Sequence, residues 1–274
     1  MGRRGTFRLN AQGVALCAGT LLCAVTTAFP ARAQNAEAIV QQAAEAELAS
    51  NRNDQSHWRY VETEIDRSKY VVVETENGAV KRHIDEEGRP ASAAVLREDD
   101  EYNQKFIHNP EMRERQRQNG EHDERDANEL INLMAKAFVW KVESDGPETV
   151  TLSFRPNDSF RPPDMESRVM GEMAGTMVVN KAGHRIKTFK GALSEDINIG
   201  FGLLARIKQG GTFDIERRMV APGMWAITET HVHIVGHALF FKTIGQQEDE
   251  VKSQFTPVPL GTTLEQALGM LTAK

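Results

Sequence analysis

His231-Val232-His233, with His237 further along, is the constellation in this sequence best spaced to do chemistry. On an extended strand, positions 231, 233 and 237 share one side, and two imidazoles so placed converge at the spacing that zinc and copper sites use. Glu229 has the same parity and could add an oxygen. No fourth ligand is visible, and Gly236 invites a bulge that would break the parity. The expectation is a surface strand carrying histidines; a metal-dependent enzyme using His231 and His233 is the alternative. A serine nucleophile would need an elbow such as G-x-S-x-G, which the sequence lacks. The carboxylate groups Asp99/Asp100, Glu195/Asp196 and Glu248/Asp249/Glu250 sit in polar turns or charge runs where solvation explains them. Gly200-Phe201-Gly202 and Gly210-Gly211 precede no Lys-Ser/Thr helix start, so they read as a strand bend and a hairpin turn, not as a phosphate cradle. Neither a catalytic residue nor a cofactor is expected.

Methionine placement says more. Met165, Met170, Met173 and Met177 cluster in one short stretch, and Met219 and Met224 flank later turns. Unbranched thioethers fill irregular space and adapt to ligands of variable shape, although plain core filling uses them equally well. Met173, Met177, Phe201, Leu203, Met219, Trp225, Leu239 and Phe241 are the expected lining of an apolar concave face, if the strands that carry them curl.

The elements that must position these residues are mostly strands. Ala36 to Ala49 is rich in helix formers and reads as one short helix, with Ile39, Ala43, Ala46 or Glu47, and Leu48 forming a weak stripe. Trp58–Ile65, Tyr70–Thr75 and Val80–Ile84 are β-rich, and Asn77-Gly78 marks a tight hairpin. From Arg97 to Glu129 the composition changes: 17 of 33 residues are charged, mixed in sign, which predicts a solvated helical or partly disordered insertion. A short apolar helix, Ala127 to Ala137, leads out of it. Then come Phe138–Val142, an alternating strand around Val150, Leu152 and Phe154, and a proline-bearing loop from Arg155 to Asp164. Strands over 175–180, 185–193, 197–207, 212–220 and 225–244, a last one near 251–255 and a helix over 263–271 complete a meander without crossover helices. The fold class is mainly β (α+β): a strongly curved antiparallel sheet or unclosed barrel, a single domain over residues 34–274.

Residues 1–33 have the zones of a secretory signal: Arg3, Arg4 and Arg8 without an acid, an apolar run from Val14 to Phe29, and Ala31-Arg32-Ala33 before the expected cleavage. The run is shorter than the roughly 20 residues a spanning helix needs. Export to the periplasm without a permanent membrane anchor is expected. Cys17 and Cys23 leave with the leader, each preceded by Leu, where a lipoprotein signal has a small residue. Loss of Arg3, Arg4, Arg8 and Arg32 lowers Lys+Arg from 33 to 29 against 39 carboxylates, a net charge of about −10. Nucleic acid is excluded as a partner on that balance.

The stretch from Phe154 to Phe255 resembles a group of uncharacterised secreted bacterial proteins. Its resembling residues are Arg161-Pro162-Pro163, Met173-Ala174-Gly175-Thr176-Met177-Val178, Gly200-Phe201-Gly202-Leu203-Leu204-Ala205-Arg206, Gly210-Gly211 and Trp225. The order of leader, helix, strands, helical interruption and long meander is more distantly similar to the periplasmic lipoprotein carriers, the outer-membrane lipoprotein-sorting proteins. That resemblance implies an unclosed barrel around an apolar cavity under helical lids, a non-catalytic role, and an acyl chain or lipoprotein as partner. It assigns no residue here to the arginine with which those carriers hold cargo. An envelope interaction or sensor module, with the charged insertion docking a protein partner, is the other reading.

Overall fold

The computed structural model describes residues 29–199, 205–238 and 242–272, and the expected leader lies almost wholly outside them. Helix α1 (Phe29–Asn53) begins ahead of the expected cleavage site and is longer than the short helix anticipated. Its buried stripe, Ala36, Val40, Ala43 and Glu47, follows the four-three-four spacing of one helical face. Strands β1 (His57–Thr63), β2 (Lys69–Thr75) and β3 (Gly78–Ile84) then form antiparallel hairpins. Gly78, in the anticipated turn, has φ +117°, a conformation L side chains rarely adopt.

The charged insertion is helical throughout. Helices α2 (Ala93–His108) and α3 (Pro110–Ala137) meet at Asn109, whose side chain accepts from the Met112 N–H at 3.1 Å while Pro110 opens the first turn of α3. Every residue from 114 to 125 is exposed, and Gln116 lies beside Gly78 of the β2–β3 turn. Ion pairs one turn apart support this segment: Arg117 with Glu114 and Glu121, Arg115 with Glu111, His122 with Asp126. The apolar helix expected over 127–137 is the last part of α3.

The rest of the chain supplies β4 (Phe138–Asp145), β5 (Thr149–Pro156), a short α4 (Met165–Gly171) that no sequence signal suggested, β6 (Met173–Asn180), β7 (Arg185–Leu193), β8 (Ile197–Ile199) and β9 (Ala205–Ile207). It ends with β10 (Thr212–Ala221), β11 (Met224–Ala238), β12 (Lys242–Val258) and α5 (Leu264–Met270). Two expectations need correction here. The stretch 197–207 is a pair of short strands, and 225–244 is parts of two long ones, with the supposed last strand near 251–255 lying inside β12. Residues 239–241, between β11 and β12, include no Gly, Pro, Asn or Asp, so the sequence offered no turn signal there.

All strands belong to one antiparallel sheet in the order β3-β2-β1-β12-β11-β10-β7-β6-β5-β4, with the β8–β9 hairpin attached to β11. The sheet is open, with β3 and β4 as its edges, and the fold is mainly β as expected; two of its helices are long. Three buried clusters hold it. The largest packs α1, α3 and α4 on β4–β7; a second packs α2 and α5 on β2 and β3; a third centres on Trp58, Tyr60, Tyr70 and Val72 beside the β10–β11 turn. No described helix is long and apolar enough to cross a membrane.

Candidate functional site

Cross-strand register defines one continuous face of the sheet. Trp140, Phe154, Gly175, Gly191, Phe213 and Val232 are successive partners across six strands, so their side-chain positions share that face. An aromatic row runs along it. Trp140 meets Phe154 at 5.2 Å between ring centroids, Phe154 meets Phe189 at 5.1 Å, and Phe189 meets Phe213 at 4.7 Å. Gly191 makes the room: a Cβ there would lie 2.5 Å from the Phe213 ring and 3.1 Å from Phe154. Met173, Met177 and Leu152 fill in beside the rings, and Met177 and Leu152 are fully buried.

Small side chains cover this surface. Ala36, Val40 and Ala43 of α1 lie over it, joined by Met134 and Ala137 of α3. One turn beyond Ala43, the fully buried Glu47 is held by two strands of the sheet. Its carboxylate accepts from Arg185 Nε at 3.0 Å, Arg185 Nη2 at 2.8 Å and the Ile186 N–H at 2.8 Å, and pairs with Arg217 Nη1 at 2.6 Å. Trp225 lies against Arg185, its ring centroid 5.9 Å from the guanidinium carbon. Burial pushes the Arg217 guanidinium below its ordinary value against the pull of Glu47, and its Nε is buried without a hydrogen-bond partner. Two cations facing one carboxylate make the fastening of α1 electrostatic and polar.

Further along the same face the chemistry changes. Thr230 pairs with Glu250, and Lys252 pairs across β12 with Glu62. A one-residue bulge on β12, where Gln254 has φ +58°, turns Phe255 onto Tyr60 and Trp58 at 5.4 and 6.1 Å. Burial, then the charge of Glu250, raises the Glu62 carboxyl to about 7, while Lys252 opposes. Burial also raises Glu74, which accepts from the Trp58 N–H at 3.1 Å. The Lys252 ammonium bonds Glu250 and lies 5.2 Å over the Tyr60 ring; these carboxylates hold it above its usual range although burial acts the other way.

Of the sequence-derived lining residues, Met173 and Met177 lie together in the apolar cluster. Trp225 is half-buried and sits with the Arg185–Glu47 pair. Met219, cross-strand from Trp225 next to the β10–β11 turn, is 55% exposed, so it does not join Met173 and Met177. Phe201, Leu203, Leu239 and Phe241 lie outside the described residues. Sequence reading missed Phe154, Phe189 and Phe213, whose alternation was legible but whose alignment required the strand register, and it left Glu47 as an ambiguous stripe position.

The histidines stand on the opposite face. His231 Nδ1 bonds Asp249 on the neighbouring strand, and its Nε2 lies 3.7 Å from Glu229, so the shared parity of 229 and 231 produces a surface ion-pair group. His233 is exposed, and no group of three His, Cys, Asp or Glu among the described residues is placed to hold a metal ion. No register shift separates Val235 from His237, so the bulge anticipated at Gly236 does not form against β12.

Comparison of this chain with protein-family models, with curated proteins and with solved structures found no match.

Proposed function

We propose that this protein is an exported, non-catalytic carrier of the bacterial periplasm whose aromatic and methionine-lined sheet face takes up an acyl chain, with α1 as the movable cover. One observation carries the reading: a continuous row of Trp140, Phe154, Phe189 and Phe213 with Met173 and Met177 is roofed by Ala36, Val40 and Ala43, a narrow helical face over a wide apolar one. Withdrawal of α1 and curling of the strands would open a hollow along that row. Each acyl methylene buried there would contribute about 0.8 kcal/mol, enough for a chain of ordinary length to compensate the lost helix contacts. Along the aromatic row itself electrostatics would add little. The likeness in element order to the lipoprotein carriers points the same way, as does the single buried carboxylate, Glu47, that ties α1 to two arginines of the sheet.

Native mass spectrometry of protein purified from its own envelope tests the reading. Co-purified lipid or acylated polypeptide is expected, and a clean apo protein that also fails to take up a fluorescent fatty acid would refute it. A partner-docking role has its own supporting observation, the run of exposed residues 114–125 of α3, and would appear in the same experiment as a bound protein.

A further inference from the structure

A groove of about 870 Å³ runs beside the edge strand β4, where the apolar cluster reaches the surface. One wall is Leu133 and Ala135 at the end of α3, the floor is Phe138 and Trp140 of the β4 edge, whose neighbour Val139 turns its exposed side chain to the other face, and the far wall is Phe160 of the β5–α4 loop. Lys136 and Arg161 stand on its rim, facing a single carboxylate, Glu37 of α1. Its volume falls in the range of ligand sites, and its floor belongs to the cluster that carries the aromatic row.

The charges are arranged for an anion. The C-terminal carbonyls of a helix ordinarily repel one, yet here they are occupied. Trp140 Nε1 donates to the Met134 carbonyl at 3.2 Å, Asn157 Nδ2 to that of Lys136 at 2.9 Å, and the Asn157 N–H to that of Ala137 at 3.1 Å. The same Asn157 ties the loop bearing Arg161 to the helix end bearing Lys136. Arg161 uses one guanidinium nitrogen, Nη1, on the carbonyls of Asp158 and Phe160, both at 2.9 Å, which sets the guanidinium against its own loop. Among the described residues no carboxylate lies within ion-pair distance of Lys136.

We infer that this groove binds the head of a single-chain anionic amphiphile, with its carboxylate or phosphate between Lys136 and Arg161 and its first methylenes along Leu133, Phe138 and Phe160. The inference rests on the acyl-carrier reading and adds the mouth through which the chain reaches the aromatic row, together with the sign of the head group. Two charge-assisted contacts give the anion its selectivity.

Isothermal titration calorimetry on the purified protein separates the possibilities, with dodecanoate, dodecyl phosphate and the uncharged dodecyl maltoside as probes. Either anionic probe, or both, should bind about tenfold or more tightly than the maltoside at low salt, and the gap should narrow as salt rises. The double variant Lys136→Gln/Arg161→Gln should lose that advantage while its affinity for dodecyl maltoside and its unfolding midpoint stay as in the parent. Dodecanoate preferred over dodecyl phosphate, or the reverse, identifies the head group. Equal binding of charged and uncharged probes, unaffected by the double variant, overturns the head-group site and leaves the acyl reading intact. Binding of no amphiphile overturns both.

Discussion

Two parts of one sheet face, joined by unbroken strand pairing, are built from opposite materials. Across β4–β7 and β10 the face is aromatic and thioether, and its cover is α1; across β12, β1 and β2 it carries Glu62, Glu74, Glu250 and Lys252 beside Tyr60. The apolar part has a roof of small side chains held down by one buried ionic cluster. The polar part supports itself by strand-to-strand bonds and places its own apolar packing on the reverse face, under α2 and α5. The contrast teaches where the molecule can open: contacts of Ala36, Val40 and Ala43 bury little area per residue, so α1 depends on Glu47 more than a helix with leucines would.

That dependence gives the largest expected effect. Glu47→Ala leaves Arg185 and Arg217 buried without their shared carboxylate, and a loss of about 3–5 kcal/mol in urea unfolding is expected, as for other broken buried ion pairs. Replacing all three together, by Glu47→Leu, Arg185→Met and Arg217→Met, should recover much of it. Recovery would show that the cluster fastens α1 without adding net stability. If Glu47→Ala instead costs under 1 kcal/mol, α1 is held by its apolar stripe, and the contrast between the two parts weakens.

Next in size is Gly191→Ala. The added methyl enters the space occupied by the Phe213 and Phe154 rings, and overpacking of this kind costs about 1–3 kcal/mol. The near-ultraviolet circular dichroism of the aromatic row should change with it.

The polar part has a pH signature of definite sign. Glu62 titrates near 7 in the folded protein against an ordinary value of 4.5. Between those values the folded state holds a proton that the unfolded state lacks, so this contribution is full below about 4.5 and is lost as pH rises through 7. Glu62→Gln should flatten that portion of the stability–pH curve. An identical slope in parent and variant would show that the Glu62–Glu250 pair shares no proton. The smallest effect is expected at Gly120→Ala, in the exposed segment of α3 with nothing within 4 Å of the new methyl: a gain of up to about 1 kcal/mol from helix propensity.

Local signals were easy to read in this chain. Alternation of Val150, Leu152 and Phe154 with threonines and serine gave β5, Asn77-Gly78 gave the β2–β3 hairpin, and the helix expected over 263–271 is α5. Harder were features fixed by distant partners. The acidic run Glu248-Asp249-Glu250 reads as a solvated polar turn or charge run, yet Lys252, His231 and the pairing of β12 with β11 make it strand. Glu47 reads as a position at the rim of a weak stripe, because Arg185 and Arg217 lie far along the chain. The helical state of 114–125 rests on ion pairs one turn apart, which mixed composition alone does not distinguish from a solvated coil. Phe154, Phe189 and Phe213 become a row only once three strands are set in register.

Hydrogen exchange with and without saturating dodecanoate tests the central claim most directly. If an acyl chain takes the place of α1 on the aromatic row, amides of residues 36–47 will exchange faster in the bound protein while those of 150–154 and 173–179 keep their protection. Unchanged or stronger protection of α1 with ligand bound would contradict the account.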